Sequence, residues 1–216
     1  MALTFPLPQA AFFAGLPVAE CRFHLPASLN ISRTRGGAIK TARMAERLWT
    51  GQLVLPPRRY AEAARIEALI SALSEPGRSF LAHPLPITAP IADPQGLILG
   101  GATPSLHSVV QGGREIRVAG LPEGYVLTPG DMLGVVYGSN PTRYGLHRLV
   151  SGATATGAGI TPVVEVTPPL RPGVAAGAPV SLVRPAIKAV LIPGQGARVR
   201  PGMVEGIVLD FVQTLG

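Results

Sequence analysis

The chain has 216 residues and a formal net charge of +7, with 47% hydrophobic and only 14% charged residues, which allows one large domain or two small ones. Its 26 glycines and 23 prolines follow no period and fill no single tract, which excludes a collagen-like chain and indicates many turns. The single cysteine excludes an intrachain disulfide and a cysteine-based metal cluster.

No apolar run approaches the length of a membrane span, and the amino-terminal residues lack the basic region of a signal peptide. We therefore expect a soluble protein, made inside a cell, with no membrane insertion. The low charge suggests surface that is covered in the working state, and hence an assembly.

Strands are predicted in the first third of the chain. "CRFHL" (21–25) and "LNIS" (29–32) show alternation, and "RLWTGQLVL" (47–55) ends at a Pro-Pro pair. Between them, "RTRGGAIKTARMAE" (33–46) contains a Gly-Gly pair. We expect an exposed hairpin or a long loop there.

Positive charge is concentrated in the same region. Residues 22–59 contain eight basic side chains and one acidic side chain, Glu46. Such an excess indicates an acidic partner surface or nucleic acid, and the alternative is a solvated basic face. The residues expected to face a partner or a channel are Arg33, Arg35, Lys40 and Arg43.

"YAEAARIEALISAL" (60–73) predicts the one helix. Ile66, Leu69, Ile70 and Leu73 recur at helical spacing and form a narrow apolar stripe, and "EPG" (75–77) ends the helix. A four-turn helix with one narrow stripe cannot form a core alone, so these four residues are expected to pack on a sheet.

Short strands separated by Gly/Pro turns follow from about residue 92, a spacing typical of a small barrel or sandwich. We place an inserted β-barrel domain at residues 92–187. "KAVLIPG" (188–194) and "GIVLDFVQTLG" (206–216) predict two last strands, the second with Ile207, Leu209 and Phe211 on one face. We expect residues 188–216 to return to residues 1–91 and complete a β-sandwich domain flanked by the helix.

Motifs for catalysis or for binding a cofactor or a metal are not found. The four histidines have no metal-ligand spacing, and there is no nucleophile elbow, Walker loop or dinucleotide fingerprint. A glycosidase pair drawn from Glu115, Asp131 and Glu165 has no support in their spacing. Tyr125, Tyr137 and Tyr144 could form a stacking patch, with cross-strand tyrosines on a barrel as the alternative.

Three stretches carry a resemblance that covers most of the chain. "RLWTGQLVLPPRRYAEAARIEALISALSEPGRSFLAH" (47–83) resembles the amino-terminal domain of tailed-bacteriophage distal tail proteins and related tail-tube-like proteins. "GYVLTPGDML" (124–133), followed by "GLHRLV" (145–150) and "GITPVVEVTPPLRPGVAAGAPVSLVRP" (159–185), resembles a β-barrel insertion of phage tail proteins. "FLAHPLP" (80–86) departs from the pattern, which has an Asp-Pro after the strand.

The resemblance implies a structural virion protein of a siphophage-type tail. It would form a ring, usually a hexamer in this family, at the distal end of the tail tube. The ring would join the tail tube protein to the baseplate and to tip or hub proteins, and would leave a channel for passing DNA. The rival hypothesis is a β-rich module of a tail tip that binds host glycans, and an enzyme is the third choice.

Overall fold

The structure is a computed structural model that describes residues 3–194 and 197–216. Within these residues the fold is mainly β, contains one α-helix and includes a sheet that curls into half a barrel. The prediction of a mainly β fold with one helix is therefore confirmed. No helix in the described residues is long and apolar enough to cross a bilayer.

Strands are numbered in chain order, and the α-helix is called α1 (Tyr60–Leu73). The strands of the described chain are β1 (Glu20–His24), β2 (Leu29–Arg33), β3 (Ile39–Arg43), β4 (Thr50–Val54), β5 (Arg58–Arg59), β6 (Phe80–Ala82), β7 (Ser105–Val110), β8 (Glu115–Ala119), β9 (Val126–Leu127), β10 (Met132–Tyr137), β11 (Arg143–Leu149), β12 (Ala153–Thr154), β13 (Val164–Thr167), β14 (Val180–Ser181), β15 (Ile187–Ile192), β16 (Arg198–Arg200), β17 (Met203–Glu205) and β18 (Val208–Gln213). Short 3-10 turns are found at Gln9–Ala11, Phe13–Gly15 and Gln111–Gly113.

The chain separates into two compact units. The helix unit consists of Leu16–Arg78 and Ala189–Thr214. The central unit consists of Ser79–Lys188, Leu215–Gly216 and the described part of Met1–Gly15.

The predicted domains, residues 1–91 with 188–216 and residues 92–187, remain a prediction. Residues 1, 2, 195 and 196 of the first predicted domain lie outside the described chain.

In the helix unit, an antiparallel sheet contains four strands in the order β1-β4-β18-β15. Side chains of a strand point alternately to opposite faces, and one face of β18 is buried. The predicted grouping of Ile207, Leu209 and Phe211 agrees with this pattern, because all three side chains are buried. On the other face, the Gln52 amide donates to Asp210 Oδ1 at 2.9 Å, and both residues are half-buried.

Helix α1 confirms the helix predicted over residues 60–73. Glu62 lies in its first turn, where a carboxylate favours the helix dipole, and its side chain is 3.1 Å from Arg58 Nη1. The helix ends at Leu73, and the N–H of Ser74, the next residue, donates to the Ile70 carbonyl at 2.9 Å. The helix contacts β5 and β17 of the same unit.

In the central unit, an antiparallel sheet contains six strands in the order β14-β10-β11-β13-β8-β7. The short strands β9 and β12 pair separately. Leu106, Ile116, Leu133 and Val164 are each at most 1% exposed and belong to one apolar cluster. Alternate side chains of β8 and β13 contribute to this core, whereas β10 is buried at five of its six residues.

Some strands were not predicted. β5, β9 and β12 have two residues each, which is too short for alternation to show. The β16–β17 hairpin has strands of three residues with one valine each, and such short strands show no clear alternation. Pairing of β17 with β5 supplies a third strand to this small sheet.

Candidate assembly interface

The hairpin formed by β2 and β3 is exposed at every residue of both strands. The two strands pair antiparallel, from Leu29 opposite Arg43 to Arg33 opposite Ile39. Gly37 in the connecting turn has a φ of 84°, in the left-handed region that favours glycine. The expectation of an exposed hairpin in this segment is confirmed.

One face of this hairpin carries its three large aliphatic side chains. Residues directly opposite each other in an antiparallel pair have side chains on the same face. The register therefore places Leu29, Ile31 and Ile39 together, with exposed fractions of 52%, 62% and 60%. Small or polar side chains occupy the other face: Asn30, Ser32, Lys40 and Ala42. We call the face that carries Leu29, Ile31 and Ile39 the apolar hairpin face.

The four basic residues expected to face a partner all lie on this hairpin and are all exposed. Arg33 and Arg43 occupy diagonal corners of the apolar hairpin face, Lys40 lies on the other face, and Arg35 is in the turn. Arg43 Nη1 is 3.3 Å from Glu46 Oε1. Among the described residues, Arg33, Arg35 and Lys40 have no ion-pair partner.

The base of the hairpin is held by hydrogen bonds to its backbone. Arg47 Nη2 donates to the Leu25 carbonyl at 2.8 Å and Nε donates to the Pro26 carbonyl at 3.2 Å. The Met44 N–H donates to the Ser28 carbonyl at 3.0 Å. These bonds fix the start and end of the hairpin and leave both of its faces open.

A groove of about 340 Å³ lies in the helix unit, between one side of α1 and the segments that end β15 and begin β18. Ile70, Ile192 and Val208 are among its apolar lining, and Ile192 is 44% exposed. Ser71 also lines it. Glu67 is the one charged side chain among the described residues that line it. We call this feature the helix groove.

The predicted helix stripe is buried to different degrees. Leu73 is buried, whereas Ile66, Leu69 and Ile70 are half-buried. Ala63 is fully buried, because its small side chain allows a close approach to the surrounding chain. Ile70 therefore belongs both to the stripe and to the helix groove.

Burial lowers the pKa of both buried histidines of the central unit, His83 and His147. His147 Nδ1 donates to the Pro168 carbonyl at 2.7 Å. Burial lowers the pKa of His147 to about 4, and the positive charge of Arg171 acts in the same direction. Burial, followed by the charge of Arg184, also lowers the pKa of His83. Within the described residues, no three His, Cys, Asp or Glu side chains are placed to share a metal ion.

Two of the three carboxylates weighed as a glycosidase pair are cross-strand neighbours, and the third is buried in a turn. Glu115 and Glu165 lie directly opposite each other on β8 and β13. Asp131 is fully buried, and its two oxygens accept hydrogen bonds from the N–H groups of Ile91 at 2.8 Å and Thr128 at 2.7 Å. Asp131 therefore acts as an acceptor for neighbouring backbone, in agreement with its interpretation as a turn residue.

The three tyrosines do not form an exposed platform, since Tyr125 and Tyr137 are buried and Tyr144 is half-buried. Tyr125 Oη donates to Asp93 Oδ2 at 3.3 Å. Burial, together with the Asp93 charge, raises the pKa of Tyr125. Stacking of bases or sugars on these three rings would require them to leave their present positions.

No protein-family model and no curated protein matches this chain.

The apolar hairpin face and the helix groove were both missed by the sequence analysis. Part of the signal for the first was present, because Leu29 and Ile31 alternate with polar residues, but the place of Ile39 on the same face depends on the strand register. The groove had no local signal. It combines residues of α1 with residues of the carboxyl-terminal strands, and only folding brings these together.

Proposed function

We propose that this protein is a structural component of a bacteriophage tail that assembles into a homo-oligomeric ring, with a hexamer as the expected form. The ring would lie in the virion at the distal end of the tail tube, after assembly in the bacterial host cytoplasm. It would contact the tail tube protein on one side and baseplate, tip or hub proteins on the other. DNA would pass through its channel.

The exposed β2–β3 hairpin is the observation that carries this proposal. A two-stranded hairpin is marginally stable alone in water, and this one leaves three large aliphatic side chains uncovered. Exposed apolar surface flanked by charge is typical of a protein–protein interface. A role in assembly accounts for such a surface directly, whereas catalysis does not require it.

The resemblance supplies the finer architecture of the proposal. In tail-tube-like proteins, a β-sandwich carries one helix on its side, and here α1 contacts β5 and β17 of its own unit. The proposed sandwich is completed by residues 188–216, with residues 92–187 inserted as a β-barrel. The pairing of β18 with β4 supports the return of the carboxyl-terminal segment.

The oligomeric state tests this function. We expect the purified protein to form closed rings, seen by mass photometry and by negative-stain microscopy at micromolar concentrations. A monomer at high micromolar concentration, with no ring in virions, would contradict the proposal. If that monomer also bound bacterial polysaccharide, the glycan-binding module would become the better explanation.

Charge reversal tests the role of the basic hairpin. We expect the triple variant Arg33→Glu, Arg35→Glu and Lys40→Glu to assemble poorly while keeping the melting temperature of the protomer, because these exposed side chains have no intrachain ion pair. Contacts between exposed charges are screened within about 8 Å at physiological ionic strength, so wild-type assembly should also weaken with salt. Sedimentation velocity across a salt series measures both effects.

A matched control reverses three exposed arginines away from the hairpin, Arg65, Arg114 and Arg117. This control changes the net charge by the same amount. We expect it to assemble like the wild type. Equal loss of assembly in both variants would show that net charge matters and that the hairpin has no special role.

A further inference from the structure

We infer that the apolar hairpin face of one protomer docks into the helix groove of a second copy of this chain. The inference rests on the proposed ring and names the two surfaces that would join its protomers. The first surface is exposed and consists of Leu29, Ile31 and Ile39 on the β2–β3 hairpin. The second is concave and is lined by α1 and the carboxyl-terminal strands.

The two surfaces complement each other in polarity. The hairpin presents aliphatic side chains, and the helix groove is lined by aliphatic side chains that include Ile70, Ile192 and Val208. Its volume of about 340 Å³ falls within the range of clefts that accept a small ligand or a few side chains. Docking would remove apolar surface of both partners from water, which favours association.

Charge complementarity favours this occupant over an unrelated apolar partner. Glu67 is the one charged group among the described residues that line the groove, and its carboxylate is acidic. The hairpin carries Arg33 and Arg43 on the same face as its aliphatic side chains. Arg33, which has no ion pair among the described residues, could therefore pair with the Glu67 carboxylate of a second copy, a contact that would specify orientation and partner.

The docking is between copies because both surfaces belong to the helix unit and both are open in the single chain. The two surfaces differ, so the contact is heterologous: each copy offers a hairpin to one neighbour and a groove to another. A heterologous contact produces a closed ring when its rotation closes, and an open filament when it does not. The proposed ring requires a rotation between neighbouring copies that closes.

Two variants separate the surfaces. Ile31→Asp with Ile39→Asp places two carboxylates on the apolar hairpin face, where both side chains are about 60% exposed and contribute little to the fold. Ser71→Trp fills the helix groove from an exposed helix position. Each variant is expected to weaken self-association about tenfold or more. The hairpin variant would bury charges in the contact, and the Ser71 variant would block the groove.

Two controls match these variants. Asn30→Asp with Ala42→Asp adds the same charges to the other face of the hairpin and leaves Ser32, the residue opposite Lys40, unchanged. Ala68→Trp adds the same ring to an exposed position of α1 that does not line the groove. Both controls should assemble like the wild type, and thermal unfolding followed by circular dichroism checks that all four variants are folded.

Mixing the two impaired variants gives the decisive result. The groove-blocked protein retains an intact hairpin, and the hairpin variant retains an intact groove, so one productive contact remains between them. Size-exclusion chromatography with light scattering should show a mixed dimer, at twice the monomer mass, that does not grow further. Neither variant alone should form it.

Three results would overturn the inference. Normal rings from either impaired variant would leave the proposed function standing but exclude these two surfaces. Dimers of the groove-blocked variant alone would show that the hairpin face pairs with itself. A wild-type protein that stays monomeric at high micromolar concentration, and forms no ring in virions, would remove both this inference and the proposed function.

Discussion

Replacing Gly51 with alanine should destabilise the fold by about 3 kcal/mol. Gly51 on β4 lies directly opposite Phe211 on β18 and Phe23 on β1. A Cβ atom added at Gly51 would come within 2.1 Å of Phe211 Cζ and within 2.7 Å of two further ring atoms. The ring cannot easily move aside, because Phe211 is 1% exposed and its centroid is 5.9 Å from that of Phe23. Chemical denaturation followed by circular dichroism measures the loss.

Gly36→Ala is the matched control, because an added Cβ there has no heavy atom within 4 Å and the backbone is not left-handed. We expect its effect on the unfolding free energy to stay within about 0.5 kcal/mol. Phe211→Leu should destabilise the wild type but cost much less when combined with Gly51→Ala, since the smaller side chain relieves the overlap. Similar effects of the two glycine substitutions would contradict this account of the sheet.

Stability should fall by about 3 kcal/mol between neutral pH and pH 4 through His147 alone. Burial, followed by the charge of Arg171, lowers the pKa of His147 from its ordinary 6.5 to about 4. The unfolded chain therefore takes up a proton below about pH 6.5, whereas the folded chain resists it until about pH 4. Stability is fully present above pH 6.5 and is lost progressively as the pH falls through this window. Urea unfolding at several pH values measures the slope.

His147→Asn isolates this contribution. The asparagine amide can donate to the Pro168 carbonyl in place of Nδ1, and it does not titrate. The variant should be less stable than the wild type at pH 7, because it is smaller, but its stability should change less between pH 6.5 and 4. Parallel curves for the two proteins would contradict the assignment of this pH dependence to His147.

The helix and most strands of more than three residues could be predicted because their signals are local. The spacing of Ile66, Leu69, Ile70 and Leu73 predicted α1, and the EPG turn marked its end. Alternation likewise predicted strands such as β1 and β18. The strands β5, β9 and β12 were not predicted, since two residues cannot show a period.

The candidate interface was predicted only in part. Clustered charge pointed to the segment with Arg33, Arg35 and Lys40, and the Gly-Gly turn indicated a hairpin. The sequence did not show that Leu29, Ile31 and Ile39 share a face, because that depends on the register of β2 against β3. A shift of one residue in the pairing of β2 with β3 would place Ile39 on the face opposite to Leu29 and Ile31.

By itself the sequence determined that the chain is mainly β with one helix, and where its basic charge is concentrated. Propensity, periodicity and turn chemistry act over a few residues, so they can be read without the fold. Only the tertiary structure decided that Gly51 lies under Phe211, that His147 is buried and that α1 borders a groove with the carboxyl-terminal strands. Each of these depends on residues far apart in the chain, whose contacts are selected by packing the whole core and not by any local pattern.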